Sequence, residues 1–262
     1  MKYLNDVKAK DIKCSIGTDT VYQSKNSGCF TITSYLDSYN IGVKFVNTDY
    51  ETVTLLGHIK SGSIKDPYSP SVYGIGILGT KYLSRVNGVH TKEYILWADM
   101  LRRCYSDNSK KKYPTYEGCK VSDKFKSYEY FYEWCNNQIG FNNKDWHLDK
   151  DLLTKGNKVY SEDFCVFLPQ EINLLFIKRK ALRGEHPIGV HWCNTKKAFV
   201  AMVRQNKRNS EYLGSFSTEL EAFNTYKVAK EAFVKEQANK WKSQIDERAY
   251  NSLMNYKVEI TD

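Results

Sequence analysis

The sequence predicts an α+β fold of modular design, and three observations support it. Residues 1–80 are poor in helix signals and carry alternating or β-branched runs. Tyr94–Phe176 combines helical spacing with a strand, loop, strand, helix order. Pro187–Lys240 reads as three strands and a capped helix. At 262 residues the chain is long enough for one sizeable core or for two or three smaller modules. Its 41% apolar content, with 20 Tyr, 12 Phe and 5 Trp, excludes a disordered chain. The expected modules are a small β-rich domain at 1–80, a central domain at 90–180 and a C-terminal domain at 183–243.

In the first module, Phe30–Tyr35 and Ile41–Val46 are the expected strands, with LDSYN as the turn between them. GHIKSGSIKDPYSPSVYGIGILG is rich in Gly and Pro, which predicts short strands and tight turns. VYGIGILG is not a dinucleotide fingerprint, because no G-x-G-x-x-G precedes a helix there.

In the second, YILWADMLRRCY places Ile95, Ala98, Leu101 and Tyr105 at helical spacing, with Arg102 and Arg103 on the polar side. Phe125–Gln138 is a second expected helix, with Phe125, Tyr128, Phe131 or Tyr132, and Cys135 on one side. These aromatics suit a core stripe better than a base-stacking platform, since the spacing is helical. Further on, WHLDKDLLTKGN crowds acid, base and imidazole together. As a strand it puts His147, Asp149 and Asp151 on one face, with Leu148 and Lys150 on the other. Thr154–Lys158 turns, Phe164–Leu168 is an apolar strand, and Pro169 opens a helix that carries Asn173. This order can bring a carboxylate on the strand beside an amide on the helix. Both are hard oxygen donors suited to Mg²⁺. LDKD is equally readable as a charged strand edge, and Asn173 as an ordinary helix residue.

In the third, Pro187–Trp192, Ala198–Arg204 and Glu211–Phe216 are expected strands, with QNKRNS as a polar turn. Thr218 and Glu221 form a capping box for a helix bearing Ala222, Tyr226, Ala229 and Phe233, which packs across the three strands. Nothing after about Lys240 suggests chemistry.

The net charge is +9, and residues 81–262, with 31 Lys plus Arg against 23 acids, hold +8 of it. Polyanion binding is therefore expected mainly beyond residue 80. The seven Cys include no C-x-x-C pair, which predicts reduced thiols rather than a zinc or redox site. The opening residues hold no apolar signal core and no 18-residue apolar run occurs, so no membrane association is expected.

The C-terminal sheet concentrates Lys196, Lys197, Arg204, Lys207 and Arg208 against Glu211 alone. A sheet covered by a helix on one face leaves the other free to enter a DNA major groove. Arg204 and Arg208 are candidates for base edges, and Lys196, Lys197 and Lys207 for phosphates. A solvated basic sheet is the plain alternative. Arg102, Arg103 and Lys110–Lys112 read either as backbone clamps or as solvated charge. His186 and His191 suit phosphate contacts or local hydrogen bonds, and His58 and His90 structural or surface roles. GVHW…KKAFVAMVRQNKRNSEYLGSFSTELEAFNTYKVAKEAF resembles an AP2-type DNA-binding domain of plant transcription factors and phage homing endonucleases. The resemblance implies sheet-first insertion into duplex DNA, with Trp192, Arg204 and Arg208 in the family's tryptophan and arginine roles.

With YILWADMLRRCY, the PTY loop and LDKD…GNK…YS…CVFLP…IN, residues 90–180 resemble the ββα-metal region of phage-encoded HNH endonucleases. HNH followed by an AP2-like domain is a pairing found in such homing-type enzymes. The resemblance implies a Mg²⁺ or Mn²⁺ cofactor held by Asp149 and Asn173, with Asn157 bracing the loop or helping to place the base. It also implies a phage protein acting in the cytoplasm of an infected bacterium. The family places His directly after the strand acid, where this chain has Lys150, so His147 is the candidate base and Asp151 a ligand or orienter. The leading expectation is a metal-dependent DNA endonuclease acting on double-stranded DNA. Alternatives are a DNA-binding protein without catalysis, or a phage protein that blocks a host protein from the same scaffold.

Overall fold

The computed structural model describes residues 8–176, 185–204 and 210–262. The chain is mixed α+β, with several small sheets and, among the described residues, eight α-helices. It divides into two compact units, Met1–Glu133 and Trp134–Asp262.

In the first unit, α1 (Ala9–Cys14) precedes four antiparallel strands in sequence order: β1 (Tyr22–Gln23), β2 (Cys29–Asp37), β3 (Asn40–Phe45) and β4 (Glu51–Thr54). The expected turn is a tight connection closed by the Asp37–Asn40 pair. Phe30, Ile32, Ile41, Val43 and Phe45 form a core with Ile12, Tyr22, Ile59 and Ile64. Part of the Gly-rich stretch, expected as strands and turns, is instead helical. α2 (Leu56–Ser61) buries Ile59 and packs Leu56, three residues away on the same face, against that core. It stops at Gly62, whose φ of 65° is the left-handed conformation that suits glycine at a helix end.

β5 (Arg85–Val86) and β6 (Val89–His90) make a small hairpin before α3 (Lys92–Tyr105). Thr91 caps α3, its Oγ1 accepting the Tyr94 N–H. The buried face is Trp97, Met100, Leu101 and Cys104, so the expected stripe is out of phase and Ile95 is 54% exposed. Trp97 sets the phase: it is the largest apolar side chain of the helix, and burying it requires its indole N–H to find an acceptor, the Phe125 carbonyl at 2.8 Å. α4 (Asp107–Lys112), β7 (Lys120–Val121) and α5 (Tyr128–Asn136) follow. Phe125, Tyr128, Phe131 and Cys135 are fully buried, as a core stripe should be.

In the second unit, β8 (Trp146–Asp149) pairs antiparallel with β10 (Val166–Pro169), β9 (Val159–Tyr160) lies between them in sequence, and α6 (Gln170–Leu174) leaves β10 directly. This is the expected order, with one correction. The first strand ends at Asp149, because Asp149 Oδ1 accepts the N–H groups of Asp151 and Leu152 and draws the chain into a bend. Asp151 therefore does not share the strand face of His147 and Asp149.

β11 (Val190–Cys193), β12 (Ala198–Arg204) and β13 (Ser210–Phe216) form an antiparallel sheet in that order. α7 (Glu219–Trp241) carries the expected capping box: Thr218 Oγ1 accepts the Glu221 N–H, and Glu221 Oε2 accepts the Thr218 N–H at 3.1 Å. Its first half packs Ala222, Phe223 and Tyr226 on Val190, Ala201 and Val203 of the sheet. Gly189 (φ 79°) lets the chain pass close to the helix, since a Cβ there would stand 2.1 Å from the Tyr226 ring. Its second half packs Val234 and Ala238 on Val166, Leu168 and Ile172, together with Ala249 and Leu253 of α8 (Glu247–Met254). The most buried line runs Tyr226, Lys230, Val234, Ala238, four residues apart, rather than through the expected Phe233.

All seven cysteines are free thiols. Among the described residues no helix is long and apolar enough to cross a membrane.

Candidate functional site

Strand pairing sets His147 opposite Leu168 and Asp149 opposite Val166. Cross-strand partners share a face. His147 and Asp149 therefore lie on the side of the hairpin where Val166 and Leu168 pack with Ile172 of α6. Asn173 is the next residue of that helix. Its Oδ1 is buried and has no hydrogen-bond partner among the described residues. Such an orphaned acceptor carries the full cost of lost hydration.

Asp149 is constrained from one side only. Its Oδ1 accepts the Asp151 N–H at 2.9 Å and the Leu152 N–H at 2.7 Å, while Oδ2 has no partner among the described residues. Burial raises its carboxyl above the usual aspartate range, against the pull of these two N–H groups, and the neighbouring Asp151 charge raises it further. Burial also pushes up the neighbouring Cys165 thiol.

The loop between the strands closes on Lys150 and Asn157. Asn157 Nδ2 donates to the Lys150 and Val159 carbonyls, each at 2.7 Å, and its Oδ1 accepts the Val159 N–H at 3.0 Å. These bonds tie the two ends of the loop together. Lys150 is only 5% exposed. Its ammonium donates to the Asn157 carbonyl at 2.9 Å and to Asp151 Oδ1 at 2.5 Å, and lies 5.6 Å from the Tyr160 ring centre. Lys150 is thus consumed in holding the loop, and Asp151 is held by Lys150. His147 is solvent-exposed.

Asp149 and Asn173 offer hard oxygen donors of the kind Mg²⁺ or Mn²⁺ takes, and the orphaned Asn173 Oδ1 fits such an ion. The described residues hold no group of three or more His, Cys, Asp or Glu that could bind a metal. An ion here would keep several waters.

The sheet has one face against α7 and one open. On the face away from α7, His191, Val200 and Ser215 lie in one row, with Val200 itself buried at 4% exposure, while Met202 pairs with Tyr212, and Arg204 with Ser210. Arg204 is exposed there, and Lys196 and Lys197 are exposed on the β11–β12 turn. Trp192 lies on the other face. It pairs with Phe199, meets that ring edge-on at 4.9 Å, and donates its indole N–H to Asn194 at 3.1 Å. Strand alternation thus separates Trp192 from Arg204. Lys207 and Arg208 lie outside the described residues.

Sequence reasoning missed Tyr212. It is 50% exposed on the open face, with the Lys196 ammonium 4.1 Å from its ring centre. Its hydroxyl contacts Ser215 at 2.7 Å and Lys196 at 3.1 Å, and these two neighbours hold it below the usual tyrosine range, Ser215 first. The alternating pattern of β13 was the available signal, but a bulge at Ala201/Met202 changes its phase.

In the first unit, Arg102 and Arg103 both pair with Asp99, and Arg103 also lies over Tyr116 at 5.4 Å. His58 contacts Thr54 at 3.4 Å, and His90 stacks on Tyr94 at 4.4 Å. In the second, His186 meets Glu219 at 2.5 Å. Compared with protein-family models, curated proteins and solved structures, the chain matches none.

Proposed function

We propose that the chain is a metal-dependent DNA endonuclease of HNH type, gripping duplex DNA through an AP2-like basic sheet. The observation that carries this reading is that one hairpin and the helix that follows it carry a carboxylate raised by burial and a buried amide oxygen without a hydrogen-bond partner among the described residues. Each is individually costly, and a divalent cation would relieve both. The topology and the open basic sheet face support the same reading.

Asp149 Oδ2 and Asn173 Oδ1 would hold the ion. When bound, it would supply Lewis-acid stabilisation of the scissile phosphate and the departing 3′ oxygen. His147, exposed on the same strand face, would accept a proton from the attacking water as the new P–O bond forms. The P–O3′ bond then breaks and the 3′ oxygen is protonated from solvent. Asn157 and Lys150 keep the loop, and with it Asp149, in place. Arg204, Lys196, Lys197 and Tyr212 would meet the duplex.

One observation favours a second reading, DNA binding without cleavage. Lys150 occupies the position where HNH enzymes carry their histidine, and its ammonium is buried in the loop. Incubating supercoiled plasmid with Mg²⁺ or Mn²⁺, wild-type protein, Asp149→Ala and an EDTA control separates the two. Nicking that disappears in the variant and with EDTA supports the nuclease; a gel shift with intact plasmid supports the binder.

A further inference from the structure

The sheet and the hairpin are mounted on the same helix. Phe223 and Tyr226 sit in the sheet core, and Val234 and Ala238 in the hairpin core. These centres are separated by about 17 Å of helix axis, at about 1.5 Å per residue. The hairpin end is fastened by more than apolar packing. Trp241 meets the Trp146 ring edge-on at 5.8 Å. Glu171 Oε1 accepts from Lys240 Nζ at 2.9 Å and from the Trp241 indole N–H. Arg248 of α8 donates to the carbonyls of Glu162 and Asp163 at 3.2 and 3.3 Å. Close-packed interfaces at both ends resist small displacements and transmit them along the helix.

We infer that α7 is a ruler: it fixes how far the cut bond lies from the groove the sheet occupies, with Glu171 and Trp241 as positioning residues that lock the hairpin to it. The inference rests on the nuclease reading. The duplex rises about 3.4 Å per base pair. The separation of the two mounts equals about five base pairs of duplex rise, and a fixed separation predicts that the cut falls at one spacing from the footprint.

The test uses the full chain on a random-sequence duplex library, mapping cuts against the protected footprint by sequencing. Wild type should give one offset, with a spread of about one nucleotide. Four alanines inserted between Val228 and Ala229 advance the helix about 6 Å and turn it about 40°. Both packing faces stay nearly in place, and the offset should move by about two nucleotides. Glu171→Ala should broaden the spread, and Glu171→Gln, which keeps an acceptor for Trp241, should restore it. A purely structural Glu171 would change melting temperature and rate and leave the spread alone.

A second measurement is independent of cleavage. Spin labels on Thr154→Cys and Thr195→Cys, with Cys14, Cys29 and Cys193 changed to Ser, should report one narrow distance. Broad distances, a wide wild-type offset or an offset unmoved by the insertion overturn the ruler alone. Narrow distances without any cutting overturn the nuclease reading and the ruler with it.

Discussion

The hairpin and the three-stranded sheet share a helix and treat charge in opposite ways. The hairpin encloses two of its charges and leaves Asp151 exposed: Asp149 is half-buried and raised by burial, and Lys150 is 5% exposed and bonded to the loop it closes. The sheet leaves Arg204, Lys196 and Lys197 in solvent. Enclosed charges are expensive and geometrically exact, as a reaction centre requires. Exposed charges cost little and are screened by salt, which suits contact with a polyanion. Substitutions in the hairpin should therefore change chemistry or stability, and those on the sheet only binding.

The largest expected effect is at Asp149. Under the proposed reading, Asp149→Ala lowers plasmid nicking at least about a hundredfold while gel-shift affinity stays within about twofold. Equal loss of both would erase the contrast between the two regions. Asp149→Asn sharpens it, because Asn keeps an oxygen for the two N–H donors. The raised carboxyl stabilises the fold fully below its unfolded pKa, and that contribution is lost as pH rises through the folded pKa. At neutral pH the charge is therefore a burden, and the Asn variant should melt higher than wild type while failing to cut.

Lys230 extends the comparison to the shared helix. It is 7% exposed, and burial pushes its ammonium down to about 8. The unfolded chain holds this proton up to about pH 10.4, so stability should rise with pH between about 8 and 10.4. At pH 7 Lys230→Met should stabilise by about 2 kcal/mol, raising the melting temperature by about 4–8 °C. A lower melting temperature would show that the ammonium has a stabilising partner.

Lys150→Met should cost about 1–2 kcal/mol, because the Asn157 carbonyl loses its donor, and thermal melting would detect it. Arg204→Ala is the smallest in stability, within about 0.5 kcal/mol. Its effect should appear in the salt dependence of DNA binding, whose log–log slope falls by about one. A destabilised Arg204→Ala protein would mean that the sheet charge is structural after all.

Much of the fold was legible where a short-range pattern decides it. Ala198–Arg204 was readable from alternation, and the Thr218–Glu221 capping box from spacing. The order of strand, loop, strand and helix around Asp149 and Asn173 was also readable. Phase was less legible. Trp97, rather than Ile95, chose the buried face of α3, because the largest apolar side chain claims the interior. Trp192 was assigned to DNA by resemblance, yet its pairing with Phe199 turns it to the helix side. Asp151 left the strand face because Asp149 captured two backbone N–H groups.

The sequence by itself determined the α+β class, the placement of most strands, the helix cap and the location of the positive charge, since propensity, periodicity and composition are local quantities. Tertiary structure alone decided which charges are enclosed at Asp149, Lys150 and Lys230, and that one helix carries both the hairpin and the sheet. Burial and register arise from contacts between residues far apart in the chain, and no window of neighbouring residues contains them.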